Sequence, residues 1–136
     1  MTNNTETPER VRLIIAEALS RDAGEVRLDS GLMDDLGAES LDYLDIVFRL
    51  ERSFEIEITR GEMERAARGD MSEDEFAPRG IISEAGIARL HKLMPEAAHR
   101  IKPGLRPAQI LGLFTVQTFV NLVEAKLRGE TAEDHL

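Results

Sequence analysis

Apolar residues recur at Val11, Ile14, Ile15, Ala18 and Leu19, the i, i+3, i+4, i+7, i+8 spacing that lines one face of a helix. Thr7-Pro8-Glu9 supplies the start of that helix: a capping hydroxyl, proline at the first helical position, and an acid on the positive end of the dipole. Residues 21–38 carry no such period and read as a long loop, pinned by Leu28, Leu32 and Leu36 and turned at Gly24, Gly31 and Gly37. A second helix is predicted from Ser40 to about Phe54. Leu41, Leu44, Val47, Phe48, Leu50 and Phe54 supply its apolar side, while Asp42, Asp45 and Glu51 face water. Phe54-Glu55-Ile56-Glu57-Ile58 alternates like a strand but is short and has no partner strand. It is predicted as an extended connection that buries Phe54, Ile56 and Ile58.

Residues 61–107 differ in character. Gly61, Gly69, Gly80, Gly86 and Gly104, with Pro78, Pro95, Pro103 and Pro107, cut them into short pieces. Ser72-Glu73-Asp74-Glu75 fits the capping-box pattern. Ser83 to Met94 is predicted as a helix burying Ala85, Leu90, Leu93 and Met94. The last helix begins near Thr115, with Val116, Phe119, Val120, Val123 and Leu127 on one face and Gly129 just past its end. The predicted class is therefore all-α, a bundle of four or more helices.

Charge narrows the functional classes. Across 136 residues, 17 Lys and Arg stand against 26 Asp and Glu, a net charge of −9. Such a surface repels polyanions and argues against nucleic-acid binding. Eight acids against three arginines between residues 31 and 60 concentrate the negative field over the second helix. A solvated helix face accounts for such a stripe, and so does a docking surface that steers basic partners. The absence of cysteine excludes disulfides, thiol catalysis by the chain itself and cysteine-ligated metals. No apolar run approaches the roughly 20 residues of a membrane span. The opening Met1-Thr2-Asn3-Asn4-Thr5-Glu6-Thr7 lacks the basic and apolar regions of a signal peptide, and the expectation is a cytoplasmic monomer.

The candidate chemistry lies in Asp34-Asp35-Leu36-Gly37-Ala38-Glu39-Ser40-Leu41-Asp42. A glycine-bearing loop delivers one serine to the first turn of an acidic amphipathic helix, where free amides and the positive dipole end suit a phosphate ester. A plain N-cap is the simpler role for the same serine. Leu36-Gly37-Ala38-Glu39-Ser40-Leu41-Asp42 resembles the signature of the acyl carrier protein family. Ile46, Val47, Leu50, Glu51, Phe54, Ile56 and Ile58 fit that family's second helix and exit loop, and Leu113, Thr115, Val116, Gln117 and the apolar positions to Val123 fit the start and body of its last helix. The resemblance covers residues 8–60 and 108–128, together 74 of the 136.

By that resemblance the fold is an acyl-carrier-like four-helix bundle with additional short helices inserted before the last helix. It implies a single carrier domain over residues 1–136, with 61–107 as an insert and 1–7 and 129–136 as flexible ends. Ser40 would carry a covalent 4′-phosphopantetheine arm, derived from coenzyme A and added by a phosphopantetheinyl transferase. Acyl groups would ride as thioesters on the arm, and the protein would not be an enzyme. Glu39, Leu41, Asp42, Asp45 and Glu51 would dock acyl-loading and acyl-transfer enzymes with basic patches. Leu32, Val47, Leu50, Phe54, Ile58 and Phe119 would line the acyl pocket.

Three departures point to a specialised carrier: Glu39 where the family usually has aspartate, Arg49 and Arg52 on the acidic helix, and the 47 residues between the matching blocks. Specialised fatty-acid or lipid biosynthesis, lipopolysaccharide acylation included, is the implied setting. The alternatives are a peptidyl or aminoacyl carrier of a non-ribosomal pathway, and an unmodified carrier-like interaction module. An enzyme reading fares worse, because no second glycine makes a nucleophile elbow and no histidine lies near Ser40 in sequence. His91, His99 and His135 read as surface residues, with no metal expected, and Met33, Met63, Met71 and Met94 read as packing.

Overall fold

The computed structural model describes residues 6–58 and 67–129. Five α-helices occur among them: α1 (Glu6–Ala18), α2 (Ser40–Phe54), α3 (Glu73–Phe76), α4 (Glu84–Leu93) and α5 (Val116–Leu127), joined by loops and short 3-10 turns. The described residues contain no strand, in keeping with the predicted all-α, carrier-like class. Met63 and His135, assigned above to packing and to the surface, lie outside the described residues, as do residues 1–5 and 130–136 of the expected flexible ends.

α1 packs against both α2 and α5, and Val11, Ile15, Ile46, Leu50, Val120 and Val123 are fully buried between them. The apolar period of α1 therefore faces the core as expected. Thr7 is not its N-cap: the helix already includes Glu6, and Thr7 is a buried helical residue.

The loop of residues 21–38 is held by long-range bonds that no local pattern encodes. The Leu32 amide donates to the Phe114 carbonyl (3.0 Å), the Val116 amide to Ser30 O (3.1 Å) and the Gln117 amide to Leu28 O (2.9 Å). Gly31 and Thr115 thereby form an isolated antiparallel bridge. Leu32 and Leu36 are buried as expected, whereas Leu28 is exposed and contributes its backbone carbonyl. At the exit of α2, Phe54 is buried and Ile56 and Ile58 pack on the core while Glu55 and Glu57 point outward, the predicted alternation.

In the insert, Ser72 caps α3 through a reciprocal pair: Glu75 N–H donates to Ser72 Oγ (3.1 Å) and Ser72 N–H to Glu75 Oε1 (3.0 Å). Ser83 caps α4 by accepting from Gly86 N (3.1 Å). Ala85 is exposed, contrary to expectation, and Gly86 takes the buried position. A Cβ on Gly86 would stand 2.6 Å from Ile82 Cγ2 and 2.8 Å from Phe76 Cδ1. Gly86→Ala is therefore expected to destabilise the fold by about 1–3 kcal/mol through overpacking, despite the roughly 1 kcal/mol helix-propensity gain of alanine. Chemical denaturation of the two proteins measures the difference.

The segment before α5 is tied to the rest of the fold by side chains. Glu96 accepts from Thr118 Oγ1 (2.6 Å) near the start of α5, and Arg100 donates to the Gly112 carbonyl (2.8 Å) and ion-pairs with Asp34. In α5, Leu127 is half exposed rather than part of the buried face, and Gly129 follows in the left-handed conformation (φ +84°) that ends helices.

Candidate functional site

The segment before α2 is rigidly set. Gly37 adopts φ +71°, a conformation that costs other L-residues steric strain. The Leu36 carbonyl accepts from Arg21 Nη2 (3.1 Å), and the Ala38 amide donates to Leu32 O (2.8 Å). Leu36 and Ala38 are buried on either side of the turn. Glu39 follows in an extended conformation as the N-cap of α2.

Ser40 is thus the first helical residue and not the cap. Glu39 makes no side-chain cap bond; instead Asp42 Oδ2 accepts from the Glu39 amide (2.7 Å). Elsewhere this chain does use hydroxyls as caps, at Ser72, Ser83 and Thr115. Ser53 Oγ accepts from Arg10 and Ser30 Oγ from the Arg27 amide. Ser40 is exposed, and its hydroxyl has no hydrogen-bond partner among the described residues. A free primary alcohol on the first turn, backed by the positive dipole end, is a receptive position for a phosphodiester.

The expected docking residues separate into two groups. Glu39 and Leu41 stand free beside Ser40, Leu41 at 75% exposure. Asp42 is half-buried and holds the cap. Asp45 pairs with Arg49 (3.1 Å), which also reaches Glu17 of α1 (3.2 Å). Glu51 accepts from the Ile58 amide (2.8 Å) and secures the exit loop. Acidity on α2 is thus partly spent on holding the fold, and Arg49 is tied into it.

Leu41, Leu44 and Phe48, counted above with the helix's apolar side, are 75%, 50% and 62% exposed. Tyr43, Ile46, Leu50 and Phe54 bury the helix instead. The signal was present: α2 carries two apolar stripes, at 41/44/48 and at 43/46/50/54, too many for one face. The uncovered stripe leads away from Ser40 with Asp42 and Asp45 close by in sequence.

Of the six expected acyl-pocket residues, Leu32, Leu50, Phe54 and Phe119 are buried in the core, and Val47 and Ile58 pack partly buried against it. None of them lines the cleft of about 640 Å³ found between the insert and the segment leading into α5. His91 and His99 are exposed, and no group of three or more metal-ligating side chains occurs among the described residues. No helix of the described residues is long and apolar enough to cross a membrane.

Tyr43, missed by the sequence reading, links α2 to α5 and the segment before it. Its hydroxyl donates to the Leu111 carbonyl (2.6 Å), and its ring packs against Phe114 (5.8 Å) and Phe119 (6.2 Å). Burial, and secondarily the charge of Asp34, push the phenol up to about 12, with Arg100 opposing. The folded state thus favours the neutral phenol. This contribution is complete below the unfolded pKa of about 10 and is lost as pH climbs towards 12. Stability is expected to fall by up to about 2 kcal/mol across that window. Tyr43→Phe should flatten that part of the profile, as read by denaturation at stepped alkaline pH.

Comparison with known proteins adds two findings. The family model described as "Phosphopantetheine attachment site" matches residues 9–67. An "Acyl carrier protein" of Clostridium acetobutylicum is 42% identical over 59 residues, which are 43% of this chain and 77% of that relative. No solved structure matches the chain.

Proposed function

The chain belongs to the acyl carrier protein family, and from that membership we propose that Ser40 is the attachment point of its 4′-phosphopantetheine arm. It is a carrier and not an enzyme, and the prosthetic group is held covalently. The observation that carries the assignment is the Ser40 hydroxyl: exposed, unpartnered among the described residues, and first in the helix that the signature opens. When attached, the arm supplies the thiol that a cysteine-free chain lacks, on which acyl groups are held as thioesters.

The residues of this chain then have definable tasks. Gly37, Leu36 and Ala38 fix the loop so that the serine is presented at the first turn of α2. The first-turn amides and the dipole favour the negative phosphodiester. Glu39, Leu41 and Asp42 form the centre of the docking surface, extended along α2 by Leu44 and Phe48. Apolar side chains with acids close by suit partner enzymes whose docking face has an apolar recess and a basic rim. Asp45 and Glu51 belong to the same surface, farther from Ser40, with their carboxylates already engaged.

Residues 8–60 and 108–128 are the proposed carrier core and 61–107 the insert, within one carrier domain that works in the cytoplasm. The insert and the arginines of α2 support a specialised role in fatty-acid or lipid biosynthesis over a general one. Incubation of the apo protein with coenzyme A and a promiscuous phosphopantetheinyl transferase tests the site. Intact-mass analysis should show one arm, and peptide mapping should place it on Ser40. A chain that never gains mass is an interaction module, and an arm on another residue removes the assignment.

A further inference from the structure

We propose that the cleft between the insert and the segment before α5 receives the distal, apolar part of a long acyl chain tethered at Ser40. This rests on Ser40 bearing the arm. The cleft measures about 640 Å³, within the roughly 300–1,000 Å³ of small-molecule sites. Phe76, Leu93, Met94, Ile110, Leu111 and Phe114 give it an apolar wall, and Arg68, Glu73 and Asp74 supply polar groups to the lining. An apolar cavity with few polar groups selects for hydrocarbon over a peptide or sugar.

Continuity with the attachment site identifies the occupant. Tyr43 lies one turn along α2 from Ser40, and it both holds the Leu111 carbonyl and packs its ring, tilted by 57°, against Phe114. Two wall residues of the cleft are therefore fastened to the helix that presents the serine. Arg100 adds a second tie, from the Gly112 carbonyl to Asp34 in the loop ahead of Ser40. The wall is thus built partly from the insert and partly from the segment before α5 that α2 holds. Chain length is what such a cleft would read, because each further methylene buried adds a constant increment of affinity.

Photo-crosslinking tests the location. The protein is loaded from coenzyme A thioesters with palmitoyl carrying a terminal diazirine, and with a diazirine-bearing acyl group of acetyl length as control. Intact mass reports loading separately: no gain overturns the Ser40 reading, while a gain allows the cleft to be judged by itself. After illumination, label is expected on peptides holding Phe76, Leu93–Met94 or Ile110–Phe114 with palmitoyl only. Ala108→Trp, which places an indole from an exposed lining position, should cut that label about tenfold, the effect of displacing roughly two methylenes of burial. Its thermal transition checks that it folds. Label confined to Val47, Leu50, Phe54 or Phe119, label independent of chain length, or label unmoved in a folded Ala108→Trp protein overturns the proposal.

Discussion

Ser40→Ala leaves the chain with no transferase-dependent gain in mass, while its thermal transition stays where it was. The first half follows from chemistry: an alanine methyl cannot form the phosphoester, and the other serines are poor substitutes. Ser30, Ser53, Ser72 and Ser83 have hydroxyls engaged within the fold, and Ser20 sits in a left-handed turn (φ +55°) after α1 rather than at a helix start. The second half follows from the cap. Because Asp42 accepts from the Glu39 amide, α2 does not depend on the Ser40 oxygen to begin. An exposed substitution of this kind changes stability by no more than about 0.5 kcal/mol. Intact-mass spectrometry after incubation with coenzyme A and transferase, beside a melting curve, checks both halves. A modified variant overturns the site, and a collapsed one overturns the account of the cap.

Phe114→Ala should be the most destabilising of the changes considered, by about 3–5 kcal/mol. Phe114 is only 4% exposed. Its ring meets Phe119 edge-on at 5.7 Å and Tyr43 at 5.8 Å, so one truncation strips contacts from α2, from α5 and from the cleft wall together. Against a total stability of about 5–15 kcal/mol for an ordinary domain, that is a large share. The midpoint of thermal unfolding should fall by roughly 10–20 °C. Phe48→Ala provides the contrast: the same side chain is removed from a position 62% exposed, and the expected change is within about 0.5 kcal/mol. Equal losses in the two variants would refute the assignment of buried and exposed aromatics.

Local signals in the chain were strong where a few neighbouring residues set the outcome. The period of α1, the span of α2 from Ser40 to Phe54, the capping box at Ser72, the starts at Ser83 and Thr115, and Gly129 after α5 all read correctly. Capping and helical spacing act over four residues or fewer, so composition within that window determines them. The turn at Gly37 and the helix start at Ser40 belong to the same class, since loop, glycine and helix start are contiguous.

Burial is decided at longer range. Leu41, Leu44 and Phe48 are as apolar as the residues that became core, and only the placement of α1 and α5 against the 43/46/50/54 stripe leaves them uncovered. Ala85 and Gly86 are adjacent on one helix, yet the closeness of Phe76 and Ile82 dictates that the glycine goes inside. The clamp of Tyr43 on Leu111 joins residues 68 apart, and the Arg100–Asp34 pair joins residues 66 apart. Neither has a signature in sequence, because the hydrogen-bonding partner in one case is a backbone carbonyl and in the other an acid among many. What the chain wrote locally was the helices and the exposed serine at the start of α2; which apolar surface is hidden, which is left uncovered, and where a cleft opens before α5 came from helices meeting across long separations.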